Sequence, residues 1–84
     1  MSELYDPETI EMSKKFDENY KWFIEHYEEI KEDYKDKVIA IDDNEVVDSD
    51  EDINSLMNRL KINYDDIRHI IIQYINKENY VTLI

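Results

Sequence analysis

The sequence predicts an α+β domain in which a small, mostly antiparallel sheet of three or four strands packs against two helices. Apolar residues recur at helical spacing before residue 35, and short β-branched runs follow at residues 37–41 and 68–75. A second helical pattern lies between these two runs. The predicted order is therefore α-β-β-α-β, followed by a candidate last strand at residues 80–84.

The first helix is predicted from a stripe of large apolar side chains. Successive members are spaced 4, 4, 3, 4, 3 and 4 residues apart and share one helix face; they are Met12, Phe16, Tyr20, Phe23, Tyr27, Ile30 and Tyr34. Asp6 and Pro7 form a suitable helix start. The helix either runs from Pro7 to Tyr34 or breaks near residues 17–19. We favour an N-terminal arm or helical extension over residues 1–15, followed by a single domain over residues 16–84.

The stretch "DDNEVVDSDED", residues 42–52, contains seven carboxylates and has two interpretations. A calcium loop that starts at Asp48 would have Ile53 where such a loop needs glycine, and Arg59 where it needs an acid. We therefore interpret the stretch as a two-residue turn at Asp43-Asn44, a short strand through residues 46–47, and a helix start capped by Asp48 or Ser49.

Composition limits the possible functions. The chain has no glycine and no cysteine, which excludes glycine-rich phosphate loops and thiolate chemistry. His26 and His69 lack the spacing of a zinc site, and no serine lies near a suggestive base. We expect no catalytic activity, no cofactor and no metal. The missing cysteine, with no membrane span and no secretory signal, predicts a cytoplasmic protein.

Charge is distributed unevenly along the chain. Residues 1–52 contain 19 acidic and 6 basic side chains, a net charge of −13, whereas residues 53–84 contain 3 and 4, a net charge of +1. This acidity either serves only solubility or forms a functional surface. A functional surface of this sign repels nucleic acid and attracts a basic protein.

Five residues are candidates for binding a partner: Trp22, Glu25, Glu28, Glu29 and Glu32. The glutamates follow the polar face of the first helix, and Trp22 lies about 100° from the centre of the apolar stripe. Trp22 either covers the edge of the sheet or contacts a partner. With both helices on one face of the sheet, the other face is bare. Ile71, Tyr74 or Val81 on that face predicts a homodimer through the sheet.

The apolar positions from residue 16 to residue 75 resemble a family of small archaeal proteins of unknown function. The resembling residues are Trp22, Phe23, Tyr27, Ile30, Tyr34, Lys37, Val38, Ala40, Ile41, Val46 and Val47. Such proteins usually have glycine at two turns where this chain has Asp36 and Asn44. The resemblance implies an archaeal origin and an α+β fold, and it implies no activity.

These observations lead to two functional hypotheses. The first is a small acidic protein-interaction module or regulatory subunit without catalytic activity. The alternative is an acidic nucleic-acid mimic that binds and inhibits a basic DNA- or RNA-handling protein. Both predict a protein partner, with no direct contact to nucleic acid or membrane.

Overall fold

The computed structural model describes residues 7–76 and confirms the predicted α+β class. Its elements are α1 (Pro7–Glu25), α2 (Tyr27–Asp33), β1 (Val38–Asp42), β2 (Glu45–Asp50), α3 (Ile53–Asn63) and β3 (Ile71–Tyr74). The candidate last strand at residues 80–84 lies outside the described residues. Over residues 7–76, no helix is both long enough and apolar enough to span a membrane.

The sheet has the order β2-β1-β3, and both neighbouring pairs are antiparallel. The turn between β1 and β2 consists of Asp43 and Asn44, whose φ angles are 51° and 59°. A two-residue turn with both φ angles positive matches the twist of the strands that it joins, and the predicted turn is confirmed. Asp36 has a φ of 63°. Asp36 and Asn44, the two turn residues that replace the glycine usual in the resembling family, thus both adopt left-handed backbone.

Helices cover both faces of the sheet, so the prediction of a bare face was wrong. Ile39 and Ile41 of β1 lie in a core cluster with Phe23 and Ile30 of the first two helices. Val38 and Ala40 lie in a second cluster with Leu56 and Leu60, both from α3. All five residues of β1 are buried, and alternating side chains of a strand point to opposite faces. Such a strand needs cover on both sides.

Of the three residues predicted for a bare face, Ile71 is instead buried in the cluster beneath α1 and α2. Tyr74 is half-exposed, and its hydroxyl donates a hydrogen bond of 2.9 Å to Asp36. Val81 lies outside the described residues. A homodimer through the sheet therefore cannot use Ile71 and would have to form along a strand edge.

The first helix passes residues 17–19 without the break considered above, and it ends at His26 instead. The carbonyl oxygen of Trp22 accepts the backbone N–H of His26 at 3.0 Å, and Nδ1 of the same residue lies 2.9 Å from that oxygen. The backbone of His26 departs from helical dihedral angles, with φ of −111° and ψ of 15°. This irregularity, the bend at His26, separates α1 from α2.

Only the second half of α1 contributes to the core. Asn19 and Phe23 are its only buried residues, whereas Phe16 and Tyr20 are 42% and 45% exposed. These two side chains belong to the apolar stripe that predicts the first helix, and they lie largely outside the core. Helical spacing identifies a face, but the length of the sheet decides how much of that face is covered.

Candidate functional site

Trp22 is half-buried and packs against the core, and its contact with a partner stays a prediction. One side of its ring packs against the core cluster that contains Phe23 and Ile30. The indole also stacks on the imidazole of His26, with ring centroids 4.5 Å apart and an interplanar angle of 21°. The remaining surface of Trp22 lines two hollows at the protein surface. Its position is therefore that of a core residue with an accessible face.

The first part of the site is a groove between the bent helix pair and the start of β2. It has a volume of about 220 Å³ and is lined by Trp22, His26, Glu29, Ile30, Asp33, Tyr34, Glu45 and Val46. We call this the Trp22 groove. Five of its residues share one helix face, because positions 26, 29, 30, 33 and 34 follow helical spacing. The tight turn at Asp43-Asn44 returns the chain so that Glu45 and Val46 form the opposite wall.

The lining of the Trp22 groove combines aromatic and acidic groups. Trp22, His26 and Tyr34 supply rings, and Glu29, Asp33 and Glu45 supply carboxylates. Among residues 7–76, these three carboxylates form no ion pair. The lining includes no lysine and no arginine.

The glutamates predicted from the sequence fall into two groups. Glu28 pairs with Lys31 at 2.9 Å, and Glu32 pairs with Lys35 at 3.3 Å. Glu29 lies in the Trp22 groove, beside the pair that Glu28 forms. Two of the predicted acids are therefore neutralised by the chain's own lysines, while Glu29 is available to a ligand.

Glu25 lines the second hollow, on which Trp22 also opens. This hollow has a volume of about 320 Å³, and its other lining residues are Glu18, Lys21 and Asn44. Trp22, Glu25 and Glu29 are thus brought together around one indole ring. Asp33, Tyr34 and Glu45 complete this surface and were not predicted as site residues. In the sequence, Asp33 and Tyr34 each lie one helical turn after Glu29 and Ile30. This spacing places them on the same helix face and could have indicated them as site residues.

A buried polar cluster lies on the other side of Phe23 from this surface and was not predicted. Asn19 Nδ2 donates to Asp42 Oδ1 at 3.1 Å and to the carbonyl oxygen of His69 at 2.9 Å. His69 Nε2 lies 3.2 Å from Asp42 Oδ2, and the three side chains are 3–8% exposed. His69 Nδ1 is buried without a hydrogen-bond partner among the described residues. Asn19 ties α1 to the end of β1 and to the segment before β3.

With this geometry established, the chain can be compared with known proteins. A family model described as a family of unknown function, DUF5678, matches residues 29–78, which is more than half of the chain. The chain belongs to the DUF5678 family. The predicted resemblance to a family of unknown function is confirmed to that extent. Comparison with curated proteins and comparison with solved structures gave no significant match.

The DUF5678 segment begins within α2 and includes the hairpin, α3 and β3, so it carries most of the residues that line the Trp22 groove. Glu29, Asp33 and Glu45 lie inside the segment, whereas Trp22 and Glu25 precede it. The groove is therefore formed where the helix before the family segment meets the segment itself.

The acidic stretch at residues 42–52 of this DUF5678 protein is held by an arginine. Arg59 donates to Asp48 through Nε at 2.9 Å and Nη2 at 3.0 Å, and to Asp50 through Nη1 at 2.8 Å. These hydrogen bonds hold the pKa of Asp48 below its usual range. The pKa of Asp50 is also lowered, first by the backbone N–H of Asp52 and then by Arg59.

The predicted helix cap was wrong by three or four residues, because Asp48 and Ser49 belong to β2. Asp52 caps α3 instead, and its carboxylate accepts from the backbone N–H groups of Asn54 and Ser55 at 3.3 Å each. Over residues 7–76, no group of three or more histidines, cysteines, aspartates or glutamates is arranged to hold a metal ion.

Proposed function

We propose that this DUF5678 protein is a small acidic protein-interaction module or regulatory subunit without catalytic activity, and that it binds a basic protein through the surface around Trp22. The observation that carries the proposal is the pairing of an accessible tryptophan with carboxylates that have no ion-pair partner among residues 7–76. Trp22, Glu25 and Glu29 form the centre of this surface.

The physical argument has two steps. Tryptophan is enriched at interface hot spots, because a large ring that leaves water on binding contributes more than most contacts. Carboxylates around such a ring attract a basic partner over a distance, raise its association rate and orient it.

An affinity pull-down from the native cell extract tests the proposal, with the wild type and three variants compared at about 50 mM and about 500 mM NaCl. The charge-reversal variant Glu25→Lys/Glu29→Lys should lose most of the captured partner at low salt. Its matched control is Glu28→Lys/Glu32→Lys, which has the same spacing and the same change of charge but alters acids already paired with lysines. Trp22→Ala should lose the partner at both salt concentrations, provided that circular dichroism shows it to be folded.

A partner captured equally by the two charge-reversal variants would contradict the proposal, and so would a partner retained by folded Trp22→Ala.

A second function, an acidic nucleic-acid mimic that binds and inhibits a basic DNA- or RNA-handling protein, is favoured by a different observation. The net charge of −13 over residues 1–52 includes many exposed acids along α1 and α2. A mimic relies on the whole charged surface, so its binding should fall steeply with salt and should be competed by double-stranded DNA. It should also survive Trp22→Ala, which separates it from the first function.

Three further properties stay predictions of the sequence: a cytoplasmic location, an archaeal source and a homodimer. Light scattering at a protein concentration of tens of micromolar tests the homodimer, and a monomer at that concentration would contradict it.

A further inference from the structure

We propose that the Trp22 groove binds the guanidinium group of an arginine side chain. This inference rests on the proposed function, because it names the group by which a basic partner would be recognised. In this groove an aromatic wall and three carboxylates without ion-pair partners among residues 7–76 line the same volume.

The carboxylates determine the charge of the ligand. Glu29 and Asp33 are one helical turn apart, and Glu45 faces them from β2. A carboxylate or phosphate ligand would meet three like charges. A neutral apolar ligand would desolvate the same three carboxylates without pairing them, which is costly. Of these ligand classes, only a cation is attracted to the carboxylates and also forms ion pairs with them.

The residues that the structure describes do not supply that cation. Lys31 is turned toward Glu28 and lies 5.7 Å from the centre of the Tyr27 ring, and Lys35 pairs with Glu32. Neither lysine lines the groove, although each lies within two residues of Asp33 or Glu29 in sequence. The cation must therefore come from outside the described chain.

The rings favour arginine over lysine. A guanidinium is planar, is less strongly hydrated than an ammonium, and stacks on aromatic faces while its N–H groups reach carboxylates in pairs. Trp22 and His26 form a stacked pair in the lining of the groove, and such aromatic surface is what a guanidinium stacks on. The volume of about 220 Å³ is below the roughly 300 Å³ at which ordinary small-molecule pockets begin, so it suits one side chain.

The test uses Trp22, the only tryptophan in the chain, as its own reporter. Blocked arginine, N-acetyl-arginine amide, is added to the full chain at constant ionic strength while tryptophan fluorescence and the indole N–H signal in NMR are followed. Blocked citrulline has the same shape without the charge and is the matched probe. We expect a saturable change with a dissociation constant of about 1–10 mM for the arginine probe. The citrulline probe should bind at least about 10-fold more weakly.

Two neutralised variants locate the binding. Glu29→Gln/Asp33→Asn removes two of the groove carboxylates and should weaken binding of blocked arginine by about 10-fold. Glu28→Gln/Glu32→Gln removes two neighbouring carboxylates at the same spacing and should change it by less than about 2-fold. Both pairs are exposed on α2, so neither variant is expected to unfold the protein.

The outcomes distinguish this inference from the function on which it rests. No saturable change in either signal would overturn the arginine site, and so would equal binding of blocked citrulline or equal loss in the two variants. A partner still captured through Trp22 and Glu29 would then leave the interaction module standing. If blocked arginine binds as described while no partner is captured, the arginine site stands and the proposed function fails.

Discussion

At the scale of single residues, Asn19 is the most informative side chain outside the groove. It follows the helical spacing of Phe16 and Phe23 and so lies on the apolar face of α1. It is 3% exposed, and its amide satisfies both Asp42 and the carbonyl oxygen of His69. A polar residue on an apolar stripe usually indicates a buried hydrogen-bonding partner, and that indication was present in the sequence. The partners could not be named, because Asp42 and His69 are 23 and 50 residues away.

Replacing Asn19 tests whether this cluster stabilises the fold. Asn19→Ala leaves the buried carboxylate of Asp42 and the His69 carbonyl without their donor, so we expect a loss of about 1–3 kcal/mol in the free energy of unfolding. Urea denaturation measures this loss. The slope of the free energy of unfolding against urea concentration should be the same for the variant and the wild type. Asn58→Ala, an exposed position in α3, is the matched control and should change stability by less than about 0.5 kcal/mol. Equal effects of the two substitutions would show that the buried amide contributes nothing.

At the scale of elements, periodicity predicted the helices, the first hairpin and the class of fold, but it did not predict how they pack. Residues 38–41 are apolar at every position, and this could have been taken as evidence for cover on both faces. The bend at His26 could not be predicted from spacing, because the stripe through Phe23, Tyr27 and Ile30 continues across it. The bend lies at a residue whose side chain contacts the Trp22 carbonyl oxygen.

The ion pairs of Arg59 join α3 to β2, and their effect on stability should depend on pH. The pKa values of Asp48 and Asp50 lie below their ordinary value of 3.8 in the folded protein. Groups with a lowered folded pKa stabilise the fold above the unfolded pKa and lose that contribution as the pH falls through the folded value. The benefit of Arg59 should therefore be complete at neutral pH and disappear in acid.

Comparison of Arg59→Gln with the wild type measures this benefit. The variant should unfold at a lower denaturant concentration at pH 7, and the difference should shrink between about pH 5 and about pH 2. Lys61→Gln makes the same change of charge two positions along α3, where the side chain is exposed, and its smaller difference from the wild type should stay nearly constant. A gap between Arg59→Gln and the wild type that persists unchanged in acid would contradict the role of Asp48 and Asp50.

At the scale of the whole molecule, the uneven charge was readable from the sequence, but its organisation was not. Acids at helical positions 28, 29, 32 and 33 look equivalent in one dimension. Only the structure shows that Glu28 and Glu32 are paired with lysines while Glu29 and Asp33 face Glu45 across a groove. The position of Glu45 opposite α2 depends on how the hairpin packs in three dimensions, and no local sequence pattern determines that packing. The candidate site was therefore predicted in part, as a tryptophan with acids near it.

The three carboxylates of the Trp22 groove lie together with no lysine or arginine in the lining, so they should lower the stability of the protein without a ligand. Glu29 and Asp33 repel each other at helical spacing, and Asp33 lies at the C-terminal end of α2, where the helix dipole disfavours an anion. We therefore expect Glu29→Gln/Asp33→Asn to raise the melting temperature by roughly 2–6 °C at low salt. The gain should largely disappear at about 500 mM NaCl, because salt screens the repulsion that the substitutions relieve. Glu28→Gln/Glu32→Gln removes the same charge but breaks two ion pairs, so its melting temperature should stay near that of the wild type or fall. Thermal unfolding followed by circular dichroism compares each of the two variants with the wild type at both salt concentrations. A groove variant that melts below the wild type at low salt would mean that these carboxylates are already compensated within the protein, and the reason for expecting a cationic ligand would be lost.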